Sequence, residues 1–229
     1  MKVFRLISSF SFFILISAQV FAANLKGSVG FSGTAPASKK IDTKSDPSCG
    51  SGSIPAEEVI VNANGTLKNV FVYIKEGVPN QKYDVPTQTV TLDQKGCQYL
   101  PHVFGLQTGQ TLEIVNSDAT LHNIHGMPAK SKQFNLGMPF QGMKVKRKFD
   151  QPEVMVRLKC DVHPWMSAYV GVLSHPFFAV TDEDGNFEIK NLPPGTYTLE
   201  LWHEKFGTQT QRVTMNDSEA KPLTFSFKG

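Results

Sequence analysis

The chain has 229 residues, 40% of them hydrophobic, with 23 Lys and Arg against 20 Asp and Glu for a net charge of +3. That length holds one large or two small domains with a full core, and the near balance of charge argues against nucleic acid as a partner. Lys2 and Arg5 lie in an N-terminal segment with the marks of a cleaved leader, and without them 21 basic side chains face 20 acidic ones, a net of +1.

That leader reads Met1-Lys2-Val3-Phe4-Arg5, an apolar run from Leu6 to Ile16, then Val20-Phe21-Ala22. A charged start, an apolar middle and small residues before a break are the parts of a secretory signal, so residues 1–22 are expected to be removed after Ala22. The apolar run is too short to span a membrane, and no later stretch offers a span. No cysteine adjoins the cut, which gives no support to a lipid anchor.

Residues 24–83 read as N-terminal strands: Leu25–Phe31, Val59–Val61 and Asn69–Lys75, with a polar loop over Lys39–Gly52. Residues 84–173 continue with strands at Gln88–Leu92, His102–Leu106 and Gln110–Val115, turning at Lys95-Gly96 and Thr108-Gly109. After Asn116 comes His122-Asn123-Ile124-His125, then a loop carrying Met127, Met138, Phe140 and Met143. Strands Lys144–Phe149 and Val154–Cys160 follow, and Ala168–Leu173 is expected to close the unit. Lys144, Lys146, Arg147 and Lys148 form a basic cluster, read as the solvated face of a hairpin. Residues 174–229 read as further strands and turns, with Tyr197, Leu199 and Leu201 on one face. Some 55 residues are few for an independent sandwich, so Leu25–Phe31 and Asn69–Lys75 are expected to complete it, with the 84–173 unit inserted between. No helical periodicity of useful length appears, and the fold class is all-β.

The stretch that organises the chain is Cys160-Asp161-Val162-His163-Pro164-Trp165-Met166. In Val154–Cys160 the alternation puts Val154, Val156, Leu158 and Cys160 on one face and Met155, Arg157 and Lys159 on the other, so Cys160 points inward at a strand end. Two residues then turn the chain to His163, Pro164 fixes the turn, and Met166 comes round. A thiolate, an imidazole and a thioether on one loop, with His122 upstream, make the soft donor set of a mononuclear copper site rather than one for zinc, calcium or magnesium. A fortuitous set with Cys160 as a small buried hydrophobe is the plain alternative. His125, three residues past His122 on an extended segment, falls on the opposite face and is read as an outer partner of the site. His102, His175 and His203 have no spacing that assembles a further site and are assigned structural roles.

This pattern resembles the cupredoxins, and among them amicyanin, in which a Cys-x-x-His-Pro-x-Met loop pairs with an earlier His-Asn-Val-His. The resemblance covers roughly residues 86–173 and implies a Greek-key β-sandwich holding one type 1 copper. By it His122, Cys160 and His163 would be equatorial ligands and Met166 the axial one, with Asn123 and Pro164 supporting the loop. It further implies that the edge of His163 is exposed through an apolar patch, here Met127, Met138, Phe140 and Trp165, where a cytochrome-like or dehydrogenase-like redox protein docks in the periplasm. Residues 178–201, with Thr181-Asp182 through Phe187 and Pro193-Pro194-Gly195-Thr196-Tyr197, resemble the carboxypeptidase-regulatory-like module, a small immunoglobulin- or transthyretin-like β-sandwich.

With Cys160 reserved for metal, Cys49 and Cys97 remain as an expected disulfide in an oxidising compartment, against two free thiols or a second soft-metal site with His102. The expected function is one-electron transfer without catalysis. Copper delivery, favoured by the Met-rich loop, and a binding module with a vestigial site are the alternatives. An enzyme of the nitrite-reductase kind would need a second metal site of three imidazoles, which the remaining histidines do not suggest.

Overall fold

The computed structural model describes residues 22–50, 52–216 and 222–229, so the expected leader lies outside the described residues except for Ala22. No described helix is long and apolar enough to cross a membrane. In chain order the strands are β1 (Ala23–Ser32), β2 (Lys40–Asp42), β3 (Ser53–Pro55), β4 (Phe71–Glu76), β5 (Val90–Lys95), β6 (Gln98–Leu100) and β7 (Val103–Gln107). They continue as β8 (Leu112–Asn116), β9 (His122–Gly126), β10 (Phe134–Met138), β11 (Lys144–Arg147), β12 (Glu153–Lys159) and β13 (Ser167–Leu173). The last five are β14 (Phe178–Val180), β15 (Asn186–Leu192), β16 (Gly195–His203), β17 (Gly207–Met215) and β18 (Leu223–Lys228).

Two sheets, β10-β9-β12-β13-β7 and β11-β8-β5-β6, face each other as one sandwich. The chain crosses between them after β6, β7, β8, β10 and β11, and these crossovers leave β5 parallel to β8 and β13 parallel to β7. The sheets β15-β1-β18 and β14-β4-β16-β17 make a second sandwich. Its strands come from both ends of the chain: β1 pairs with β15 and β18, and β4 with β14 and β16. Each sandwich has its own buried core, one around Leu92, Ile114, Ile124 and Val170, the other around Val29, Val72, Ile74 and Leu199.

A third cluster joins them. Phe71 and Tyr73 of β4 pack with Val103 of β7 and Leu173 of β13, and Val154, Met155 and Phe178 add to it. The two glycines that pair across β7 and β13, Gly105 and Gly171, form the flat floor of this contact. A Cβ on Gly171 would stand 2.2 Å from the Phe71 ring, and one on Gly105 would stand 2.4 Å from Phe178. Close approach of aromatic rings to bare backbone is what requires glycine at both positions.

Several local expectations change. The Val59–Val61 strand is reduced to a single bridge between Val61 and Leu67. β10 runs through the segment expected to be a loop, and β2, β3, β6, β17 and β18 add strands to the expected set. In β12 the register slips between Glu153 and Val156, so Val154 packs beside Met155 in the contact between sandwiches, and the alternation starts only at Val156. The basic cluster lies on edge strand β11 or just after it; Lys144 and Lys146 reach Glu113 at 3.5 and 3.6 Å, and Arg147 covers the Phe134 ring.

Cys49 and Cys97 form a disulfide, which removes both the free-thiol and the second metal-site readings. Cys97 sits with Gly96 in the two-residue turn between β5 and β6, both with positive φ, as a type I′ hairpin requires. Gly171→Ala is expected to lower the unfolding free energy by about 1–3 kcal/mol through overpacking against Phe71. Denaturant titration measures this, and an unchanged stability would contradict the glycine floor.

Candidate metal centre

β12 and β9 are hydrogen-bonded at Leu158 opposite Gly126 and Lys159 opposite His125. The ladder stops there and a side chain continues it. Asn123 Oδ1 accepts from the amides of Asp161 at 2.6 Å and Val162 at 3.2 Å, and lies 3.3 Å from Cys160 Sγ. Its Nδ2 donates to Asn135 and Asp161, and its carbonyl accepts the Tyr99 hydroxyl. Asn123 therefore joins the His122 strand to the Cys160 loop.

The loop closes on itself. The His163 amide donates to Cys160 Sγ at 3.3 Å, the Met166 amide to the His163 carbonyl at 2.9 Å, and the Cys160 amide to the Met166 carbonyl at 3.1 Å. Cys160 and Met166 thus flank the Lys159–Ser167 pair that starts β13, both buried in the core of the first sandwich. Pro164 is exposed at the turn. Trp165 is half-buried, lies 5.1 Å from the His163 ring and donates its Nε1 proton to the Cys97 carbonyl.

His122, Cys160 and His163 bring one nitrogen or sulfur each to within 4.8 Å of the others. His122 Nδ1 and His163 Nδ1 are 2.9 Å apart, and Cys160 Sγ is 4.0 Å from the latter. All three residues are at most 3% exposed. On the far side of each ring stands a carboxylate. Asp118 Oδ2 lies 2.9 Å from His122 Nε2, and Asp46 Oδ2 lies 3.0 Å from His163 Nε2. A carboxylate accepts only, so each Nε2 carries its proton, and in a neutral ring the Nδ1 turns a lone pair inward. Burial pushes His122 below the usual imidazole range and keeps that lone pair free, although Asp118 acts in the other direction. Two imidazole lone pairs and a sulfur converging in a dry site fit a soft or borderline transition metal.

Neither carboxylate was anticipated from the sequence. Asp118 also accepts the amides of Gly96 and Cys97 at 2.8 and 2.9 Å, so the disulfide hairpin orients it. Asp46 begins a 3-10 turn at Pro47–Cys49 and accepts the Ser48 amide at 2.8 Å and the Thr120 hydroxyl at 2.9 Å. Its carboxyl is lowered to about 2, chiefly by the Ser48 amide and then by His163. The usable signals were Asx turns, Asn116-Ser117-Asp118 ahead of His122 and Asp46-Pro47-Ser48 ahead of Cys49.

Other assigned residues fall apart from these three donors. His125 faces Asp161 at 2.9 Å on the other side of β9. Met138 is fully buried against Gln94, so it is no part of a surface patch, whereas Phe140 is 72% exposed and Met127 is 41% exposed. The expected open edge of His163 is covered, because Asp46 occupies it. His102 is held by the Ser167 carbonyl and Glu204, His175 accepts the Phe177 amide, and His203 accepts the Lys205 amide.

Residues 164–228 match the carboxypeptidase regulatory-like domain family. The match starts within the loop and leaves out β1 and β4, which share the same sandwich. Among solved structures, a copper-containing nitrite reductase from Thermus scotoductus SA-01 is 20% identical over 42% of this chain and 25% of its own, with a TM-score of 0.35. The chain therefore spans about a quarter of that enzyme. A purple cupredoxin from Nitrosopumilus maritimus is 21% identical over 36% of this chain and 98% of its own, at a TM-score of 0.32. A Cu(I) amicyanin variant is 19% identical over 44% and 97% respectively, at 0.33. No protein of curated function matches the chain.

Asn123→Ala strands the Asp161 and Val162 amides, and is expected to cost about 1–3 kcal/mol of stability in the metal-free protein. Chemical denaturation reads this, and a loss below a few tenths of a kcal/mol would contradict the joining role.

Proposed function

We propose that this chain is a type 1 copper protein that passes single electrons between redox proteins after export to the periplasm. The observation that carries the reading is the buried His122–Cys160–His163 set, with both Nδ1 atoms and the sulfur turned toward one point. Copper bound there would supply a one-electron couple between Cu(II) and Cu(I).

The chain's contribution is rigidity. Asp118 and Asp46 fix the two rings, Asn123 fixes the loop against β9, and the His163 amide donates to the Cys160 sulfur. Donors held in this way keep one arrangement for both oxidation states, so little rearrangement accompanies transfer. Met166, buried beside Cys160 at the end of the loop, is the remaining soft donor. Low exposure excludes water from the three donors and disfavours a ready release of metal, which supports a carrier over a delivery protein. The exposed apolar side chains next in sequence to the ligands, Leu121 and Val162 at 44% each, and Phe140 at 72%, are offered as the surface for a redox partner.

Cys160→Ala is expected to abolish the intense thiolate-to-copper absorption, and Met166→Leu to keep that band while raising the reduction potential. Visible spectroscopy and protein voltammetry measure both. A coloured Cys160→Ala protein would refute the assignment, and an unshifted potential in Met166→Leu would remove Met166 from the ligand set.

A further inference from the structure

We propose that Asp46 is a positioning residue for His163 and that the disulfide-tied strap carrying it, residues 40–50 with 52–55, caps the ring edge through which a docked partner would otherwise reach the site. The inference rests on His163 being a metal ligand. It adds that this edge is closed, so a redox partner meets another part of the surface.

Both oxygens of Asp46 are engaged. Oδ1 accepts the Ser48 amide and so shapes the turn, while Oδ2 reaches across to Thr120 and to His163 Nε2. A carboxylate serving only as a turn cap would leave the second oxygen to solvent. The arrangement repeats at the other ring, where Asp118 holds His122 Nε2, so both imidazoles have the proton fixed outward and the lone pair inward.

The strap closes on itself and is tied to the rest of the chain at two points, none of which depends on Asp46. Cys49 is bonded to Cys97, β2 and β3 close a hairpin at Ile41 opposite Ile54, and Gln98 donates to the Pro55 carbonyl. The disulfide sulfurs lie within 4.8 Å of a His163 ring nitrogen. His163 is left 3% exposed. Trp165, half-buried and 5.1 Å from the same ring, is the aromatic neighbour that still reaches the surface.

Two measurements on the full chain test this. In the metal-free protein, long-range proton–nitrogen NMR of the imidazoles is expected to find His163 as a single tautomer protonated at Nε2. Asp46→Ala should give a mixture and a copper affinity about 10–100-fold weaker, with Asp46→Asn, which keeps an acceptor oxygen, between the two. An unmixed tautomer and unchanged affinity in Asp46→Ala would overturn the positioning role. With the disulfide intact, Cys160 is the one thiol among the three cysteines. Its reaction with an aromatic disulfide reagent should quicken about tenfold or more in a Cys49→Ser, Cys97→Ser double variant, since losing the cross-link lets the strap open more often. An equal rate would overturn the cap. If Asp46→Ala mixes the tautomers while no protein shows a thiolate-to-copper band, the positioning stands and the copper reading falls.

Discussion

Two imidazoles that both donate from Nε2 face each other with Nδ1 atoms 2.9 Å apart only if a proton or a metal ion lies between them. That constraint governs the centre of this chain. Asp118 and Asp46 each hold a ring proton on the outer nitrogen, and so leave the inner nitrogen of a neutral ring to accept. Cys160 Sγ stands beside them, accepting from the His163 amide and, as a thiol, donating to Asn123 Oδ1. Without a metal, a proton between the two Nδ1 atoms and a Cys160 thiol donating to Asn123 Oδ1 satisfy the set at the cost of a buried charge. A metal ion would replace both protons, and the type of donor would select which metal.

The rest of the fold can be followed outward from that point. The disulfide hairpin between β5 and β6 aims two amides at Asp118, and its Cys97 carbonyl receives Trp165. The strap that brings Asp46 is tied to the same hairpin through Cys49. One covalent link thus positions outer partners of both histidines. Farther away, the sheet that carries His122 and leads into Cys160 turns its glycine floor toward Phe71 and Phe178 of the second sandwich. Tyr169 and His102 add polar contacts to Glu204 across the same contact. The second sandwich is built from β1, β4 and the tail, so the chain leaves it after β4 to build the first sandwich and re-enters it at β14.

Much of the site could be read from the sequence because its donors are rare residue types at fixed spacing. His122, Cys160, His163 and Met166 announce themselves by chemistry, and the first three do lie together. The carboxylates could not be found in this way. Aspartate is common in turns, and Asp46 lies 117 positions from the ring it holds, a distance that only the fold closes. The covered edge of His163 was hidden for the same reason: a resemblance confined to residues 86–173 says nothing of a strap that precedes it. Met138 misled because a methionine in a presumed loop reads as exposed. Phe134, Leu136 and Met138 alternate as strand residues do, and that period was masked by Gly137 and the polar run before it. Val154 misled because a register slip in β12 breaks the alternation at its start.

The central claim is that His122, Cys160 and His163 hold copper through the Cys160 thiolate. The most direct test is the visible absorption and paramagnetic resonance spectrum of the purified protein after addition of Cu(II), followed by reduction with ascorbate and reoxidation. The account predicts an intense thiolate-to-copper band with a mononuclear Cu(II) signal, both lost on reduction and restored on reoxidation. A protein that stays colourless with Cu(II), or that takes up Cu(I) and yields it to a mild chelator, would contradict it.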